Sequence, residues 1–209
     1  MNHTEIGSYM KITSGALKKR NIVFSTSLSI RPTKTRVRQA IFNILKHRFF
    51  QDFGELYVLD CFAGTGALGF EALSLGTKHV TFIEENYSVA STIKKSASDL
   101  NVLDRVDIHS KNVLNFVYDS KHLFDVVFLD PPYFENLVCP AIAHLKQIKI
   151  IHDKSIFCVE CSKKEVDMIN QSLLCMNLNL LLQRQYGDVV VCFYGSSLEL
   201  LMHSKVGDI

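Results

Sequence analysis

The chain has 209 residues, 47% of them hydrophobic and 21% charged, which suffices for one substantial core and excludes a disordered or fibrous protein. No apolar run approaches the ~18 residues that span a bilayer, and the opening MNHTEIGSYMK lacks the apolar segment of a signal peptide, so a cytoplasmic protein is expected, with Met10 a candidate start of the ordered part. The net charge of +2 conceals an asymmetry: residues 1–50 hold ten Lys or Arg against one acid, Glu5, while the remainder holds 13 bases against 20 acids. A basic front on an acidic body points to a polyanionic partner, the alternative being a solvated basic surface.

Tyr9–Thr13 and Asn21–Ser25 read as two short strands joined by the basic turn SGALKKR, a hairpin set apart from the main core. A linker, TSLSIRP, follows, and the Thr33 hydroxyl is placed to cap a helix over about 34–49. That helix puts Val37, Ala40, Ile41, Ile44 and Leu45 on one stripe. Arg31, Arg36 and Arg38 then cluster at its start, where the helix N-terminus adds positive potential.

From Leu56 onward, strands and helices alternate. Strands are expected at Tyr57–Cys61, His79–Ile83, Arg105–His109, Phe124–Leu129 and Ser155–Cys161. Helices are expected at Ala67–Leu75, Tyr87–Leu100 and about Val113–Asp119, and within 135–148 and 163–175. A last pair of strands, about 178–185 and 188–194, is separated only by Tyr186-Gly187, a link short enough to force an antiparallel hairpin. The fold class is therefore α/β: a seven-stranded, mostly parallel, doubly wound sheet with helices on both faces and a small N-terminal hairpin and helix extension. The expected division is a basic extension over 1–33, a main domain over 34–196 and a loose tail over 197–209.

Six cysteines, mostly inside apolar runs, suit buried thiols. Cys158 and Cys161 form a C-x-x-C, but within the strand SIFCVEC side chains three apart point to opposite faces, so no shared metal is expected. The eight histidines are scattered without ligand spacing.

Two stretches carry chemistry. VLDCFAGTGALGFEAL runs strand, loop, helix and contains Gly64-x-Gly66-x-x-Gly69, a dinucleotide-type turn that suits either a nicotinamide dinucleotide or S-adenosylmethionine. Glu84, ending the next strand in FIEEN, is positioned to accept from ribose hydroxyls or, alternatively, to cap the next helix. Asn112 is either an adenine contact or a helix cap. The second stretch is FDVVFLDPPYF, a buried strand stopped by two prolines. Asp130, the exposed carbonyls of Pro131 and Pro132, and the Tyr133 ring form a stiff turn that can accept both protons of a planar amine and stack on its ring; on its own it is equally a strand-ending turn. Asp60, just before the glycine loop, can orient a cationic ligand, and together with the Asp-Pro-Pro-Tyr turn it favours the methyl donor.

With those residues in place, the chain resembles the class I S-adenosylmethionine-dependent methyltransferases, which are Rossmann-like. More closely it resembles the bacterial RsmD family, which methylates the N2 amine of a guanine in 16S rRNA. The likeness covers about residues 10–195 and rests on RPTKTRVRQAIFNIL, LDCFAGTGALGFEALSLG, FIEEN and FLDPPY. It implies that Asp60, Ala63, Gly64, Thr65, Gly66, Glu84 and Asn112 line the S-adenosylmethionine pocket and that Asp130, Pro131, Pro132 and Tyr133 hold the target base. It also implies that Gly15, Arg20, Arg31, Pro32, Thr33, Arg36 and Arg38 face RNA, with 16S rRNA or a small-subunit assembly intermediate as partner, a monomer, no metal and no membrane. The chain departs from the family pattern at Thr35, where an acid is usual, and at Ser14–Lys19, where the family turn is richer in glycine and aromatics. The competing functions are methylation of adenine N6 in DNA or RNA or of a protein amide, a dinucleotide-dependent oxidoreductase, and a non-catalytic RNA-binding protein.

Overall fold

The computed structural model describes residues 8–24, 34–119 and 122–201. Seven strands form the central sheet: β3 (Tyr57–Asp60), β4 (His79–Ile83), β5 (Val106–His109), β6 (Phe124–Leu129), β7 (Ile151–Ser162), β8 (Asn179–Tyr186) and β9 (Val189–Gly195). Their spatial order is β5-β4-β3-β6-β7-β9-β8. β3 to β7 run parallel, and β9 lies antiparallel between β7 and β8. The chain enters at the middle of the sheet, winds outward one way, then crosses and winds the other, so β3 and β6 are neighbours. Open α/β sheets bind ligands outside the carboxyl ends of such a pair.

Alternation along the strands divides the core into two layers. Val126 and Phe128 of β6 face α1 (Thr35–Ile44), α2 (Ala67–Ser74) and α3 (Tyr87–Asp99), whereas Val127 and Leu129 face α4 (Val138–Gln147) and α5 (Val166–Cys175). Cys158 and Cys161 fall in different layers, as strand geometry requires.

Boundaries shift where side chains intervene. α1 ends at Ile44 and continues as a wide π turn, Leu45–Phe49, which lays the Phe49 ring 5.5 Å from that of Phe193. Lys34 is its N-cap, without a side-chain bond, and Thr33 lies outside the described residues. The helix expected over Val113–Asp119 is only a 3-10 turn, Val113–Asn115. Phe116 is extended and buried, and its carbonyl is bonded by His144 Nε2 at 2.7 Å. β7 begins four residues before Ser155 because Ser155 Oγ bonds the Phe124 carbonyl at 2.7 Å and restores pairing across a bulge.

The hairpin of β1 (Ser8–Lys11) and β2 (Asn21–Phe24) is not set apart from the core. Ile12 and Ile22 are buried in the same layer as α1, α2 and α3. Polar bonds reinforce this: Val23 N donates to Ser96 Oγ at 2.9 Å, and Ala16 N to the Ser74 carbonyl at 2.7 Å. At Gly15, φ is +74°, and a Cβ would strike the Ser74 carbonyl oxygen at 1.9 Å, so only glycine lets the turn lie on the end of α2.

Arg38 is a correction to the expected RNA surface. Its side chain is 1% exposed, its Nε lies 3.4 Å from Glu71 Oε1, and its NH2 donates to the Lys11 carbonyl at 3.0 Å. Helical spacing puts it on the inner face beside Ile41 and Phe42, where the wholly buried Glu71 carboxylate requires a cation. Glu71 also accepts from Thr13 N at 2.8 Å and Ser14 Oγ at 3.2 Å. Arg38→Ala is expected to lower stability by about 3 kcal/mol, the low end for a broken buried pair because two hairpin donors still reach the carboxylate. Exposed Arg36→Ala should shift it by less than about 0.5 kcal/mol. Urea unfolding of the two variants measures both, and equal midpoints would contradict the assignment.

Candidate active site

At the carboxyl ends of β3, β4 and β6 the loops enclose a cavity of about 340 Å³. Asp60, Ala63, Gly64, Thr65, Glu84 and Asn112 line it, and so do Asp130, Pro131, Pro132 and Tyr133. The glycine loop and the Asp-Pro-Pro-Tyr turn thus meet at one rim. Gly66 is absent from the wall; it is the residue before α2, at φ +75°, and turns the backbone into the helix. Gly69 lies against β4, where a Cβ would meet the Phe82 ring at 2.1 Å.

The carboxylates are held by backbone amides. Asp60 Oδ2 accepts from Gly69 N, in the first turn of α2, at 3.1 Å. Glu84 accepts from Gly64 N and from Asn86 N, each at 2.9 Å. It therefore ties the glycine loop to the end of β4, while the Asn86 side chain is what caps α3. Asn112 caps its 3-10 turn through Leu114 N at 2.9 Å and donates from Nδ2 to Glu85 at 2.9 Å. Burial is the main reason that Asp60 holds its proton up to about pH 7. The Gly69 amide opposes this, and the nearby charges of Asp130 and Glu84 add to it.

Six acids stand on the wall (Asp60, Glu84, Glu85, Asp130, Glu135 and Glu160) against Lys34 and Lys111. The N-terminus of α2, where a dinucleotide's pyrophosphate would rest, already has the Asp60 carboxyl bonded to its Gly69 amide. Such a wall fits a cationic ligand and disfavours a pyrophosphate. Among the described residues, no cluster of three His, Cys, Asp or Glu could hold a metal ion, and no helix is long and apolar enough to cross a membrane.

On the second loop, the Tyr133 hydroxyl donates to Glu160 Oε1 at 3.2 Å. Phe134 adopts φ +66°, a conformation that costs a bulky residue energy. Its amide donates to Glu165 Oε1 at 2.7 Å, and the other oxygen of Glu165 accepts from Ser162 N at 3.2 Å. The turn is thereby tied to the end of β7.

The residues expected to face RNA are less concentrated. Arg36 is exposed on α1, the helix whose flank supplies Lys34 and Val37 to the cavity wall. Arg20 is exposed and donates to the Asp99 carbonyl at the end of α3 at 2.6 Å. Gly15 is exposed on the docked turn, Arg38 is buried, and Arg31, Pro32 and Thr33 lie outside the described residues. Glu160, Glu85, Lys34 and Lys111 also line the wall, beyond the residues expected from the sequence. For Glu160 the signal was an acid within the buried apolar stretch 156–161, one residue before its second cysteine.

The family described as Conserved hypothetical protein 95 matches residues 10–195. Ribosomal RNA small subunit methyltransferase D of Haemophilus influenzae is 35% identical over 157 residues, 74% of this chain and 79% of that protein. The protein of the same name from Buchnera aphidicola is 34% identical over 76% of this chain and 81% of its own length. Among solved structures, a candidate methyltransferase of Escherichia coli superimposes with a TM-score of 0.75 at 26% identity, covering 90% of this chain and 98% of that one. A candidate methylase of Haemophilus influenzae gives 0.72 at 30%, covering 90% and 99%. The glycine loop, the acid after β4 and the Asp-Pro-Pro-Tyr turn all lie within the matched span, and the chain belongs to the Conserved hypothetical protein 95 family, the family of the RsmD methyltransferases.

Proposed function

We propose that the protein transfers a methyl group from S-adenosylmethionine to the exocyclic N2 amine of a guanine in 16S rRNA. The observation that carries this is the shared rim: a loop suited to a cationic adenosyl ligand and a loop suited to a planar amine border one cavity. The names of the relatives supply the nucleic acid, small-subunit ribosomal RNA.

S-adenosylmethionine supplies an electrophilic methyl carried by a sulfonium. Asp60 receives the cationic end of the ligand, Glu84 accepts from the ribose hydroxyls, and Ala63, Gly64 and Thr65 offer close backbone. Asn112, with its carbonyl engaged in its own turn, borders the adenine end. A guanine amine is a weak nucleophile because its lone pair is delocalised into the ring. The Asp130 carboxylate and the Pro131 carbonyl accept its two protons and localise that pair on nitrogen. Holding the two reactants aligned contributes most of the rest, and Asp130 takes the released proton. The base leaves its stack to reach the cavity, and Tyr133 replaces the lost stacking. Arg36 contacts the RNA backbone beside the entry.

Asp130→Ala is expected to lower the rate of methyl transfer about 10²- to 10⁴-fold while S-adenosylhomocysteine binds nearly as before. The readout is labelled transfer to rRNA from a strain lacking the enzyme, with the modified nucleoside identified by mass, and wild-type turnover would sink the assignment. Asp60 yields a pH dependence. Its carboxyl is neutral below about pH 7 and charged above it, and a cationic ligand prefers the charged form. S-adenosylmethionine affinity should therefore rise as pH increases through about 7, and binding below that pH should release a proton. In Asp60→Asn this rise should flatten, as calorimetry in buffers of different ionisation heat can establish. For the RNA side, Arg36→Ala should weaken binding across all RNA sequences and reduce the slope of log affinity against log salt by about one. An unchanged slope would remove Arg36 from the interface.

A further inference from the structure

Guanine, adenine and cytosine each carry a planar exocyclic amine, and a carboxylate with a carbonyl accepts the protons of any of them. The ring nitrogen beside the amine separates them. In guanine the N2 amine lies between N1, which carries a hydrogen, and N3, which carries a lone pair. In adenine and cytosine, the nitrogen next to the amine carries a lone pair.

Glu160 stands beside Asp130. β6 and β7 are parallel with Leu129 opposite Val159, so Asp130 and Glu160 are the next residues along the two strands, at one height on the carboxyl edge of the sheet. Both line the 340 Å³ cavity, and Glu160 also borders a smaller one of about 130 Å³ behind Pro131–Tyr133. The Glu160 side chain is 6% exposed, in a strand whose neighbouring positions are apolar. Its Oε1 accepts from the Tyr133 hydroxyl at 3.2 Å, which fixes the carboxylate relative to the ring assigned to base stacking.

We propose that Glu160 is the residue that selects guanine, its carboxylate accepting the N1–H beside the amine held by Asp130 and Pro131. This rests on the guanine-N2 reading above. An ionised carboxylate only accepts, and has lone-pair sites for more than one donor, so the Tyr133 bond and a base N–H are compatible. Adenine or cytosine would set a lone pair against it, which leaves two buried acceptors facing each other. A site built to bond a polar group rejects the analogue lacking it by up to about 10⁴–10⁵.

The test uses 2-aminopurine, which keeps the amine on carbon 2 but has a lone pair at N1 and no oxygen on carbon 6. The target position is first located by mass spectrometry of rRNA methylated by the wild-type enzyme. Ligated rRNA then carries guanine or 2-aminopurine there. Wild-type enzyme is expected to prefer guanine by at least about 100-fold. Glu160→Gln, whose amide donates as well as accepts, should lose most of that preference, slowing on guanine and gaining on 2-aminopurine. Tyr133→Phe, which lacks only the hydroxyl, should keep it, separating base selection from support of the ring. Binding of S-adenosylhomocysteine shows that each variant is folded. If Glu160→Gln does not fold, equal wild-type rates on the two substrates still overturn the assignment. Equal wild-type rates on the two substrates overturn the assignment, as does an unchanged preference in folded Glu160→Gln. Absence of transfer to the guanine substrate overturns the guanine-N2 reading itself, and this inference with it.

Discussion

Like charges crowd one edge of the sheet. Asp60 ends β3, Asp130 follows β6, Glu160 lies near the end of β7, and Glu84 follows β4, so four neighbouring parallel strands aim carboxylates at one cavity. Two unit charges about 5 Å apart, near the spacing of adjacent strands, repel by on the order of 3 kcal/mol at an effective dielectric of about 20. Asp60, the most enclosed of them, keeps its proton up to about pH 7, chiefly because it is buried and in lesser part because of this repulsion. This repulsion is tolerable because backbone amides absorb part of it: Gly69 serves Asp60, and Gly64 and Asn86 serve Glu84. The remaining negative field suits a sulfonium and an ammonium and opposes a pyrophosphate. One glycine pattern thereby acquires two different ligand preferences, according to whether the helix start is open or already taken by an internal carboxyl.

The second loop uses rigidity where the first uses charge. Two prolines stop β6 without any donor of their own, and Phe134 is held in the left-handed region by a 2.7 Å bond from its amide to Glu165. Glu165 in turn accepts from Ser162 at the end of β7, so the turn's shape is set by the neighbouring strand as well as by its own sequence. A site that must present a carboxylate and a carbonyl to two protons of one nitrogen gains from that fixity, because alignment lost to loop motion is rate lost.

What could be read in advance follows from which forces are local. His79–Ile83 and Phe124–Leu129 were bounded correctly because a buried parallel strand is a continuous apolar run closed by turn residues. The two loops were legible for a similar reason: glycine and proline fix backbone shape wherever they stand. Arg38 was misread as surface because the partner that makes its burial possible, Glu71, is 33 residues away in sequence; its spacing from Ile41 and Phe42 was the only local sign that it differs from exposed Arg36. The early start of β7 depends on Ser155 reaching across to Phe124, again a contact between distant segments. Glu160 was passed over because its strand drew notice for two cysteines, which lie in opposite core layers, rather than for the acid between them.

The buried Arg38–Glu71 pair also links the two ends of the proposed reaction. Glu71 lies on α2, the helix that follows the glycine loop, and Arg38 on α1, which carries Lys34 and Val37 at the cavity wall and Arg36 on the outside. The same carboxylate accepts from Thr13 and Ser14 of the hairpin. Three segments separated in sequence are thus held by one buried charged group, and drawing α1 away removes its cation at a cost of several kcal/mol. A basic front end joined by a flexible tether could bind RNA just as tightly, but it would not fix where the bound strand lies relative to a methyl donor. Burying the charge converts electrostatic attraction into position, which is the quantity a methyl transfer depends on.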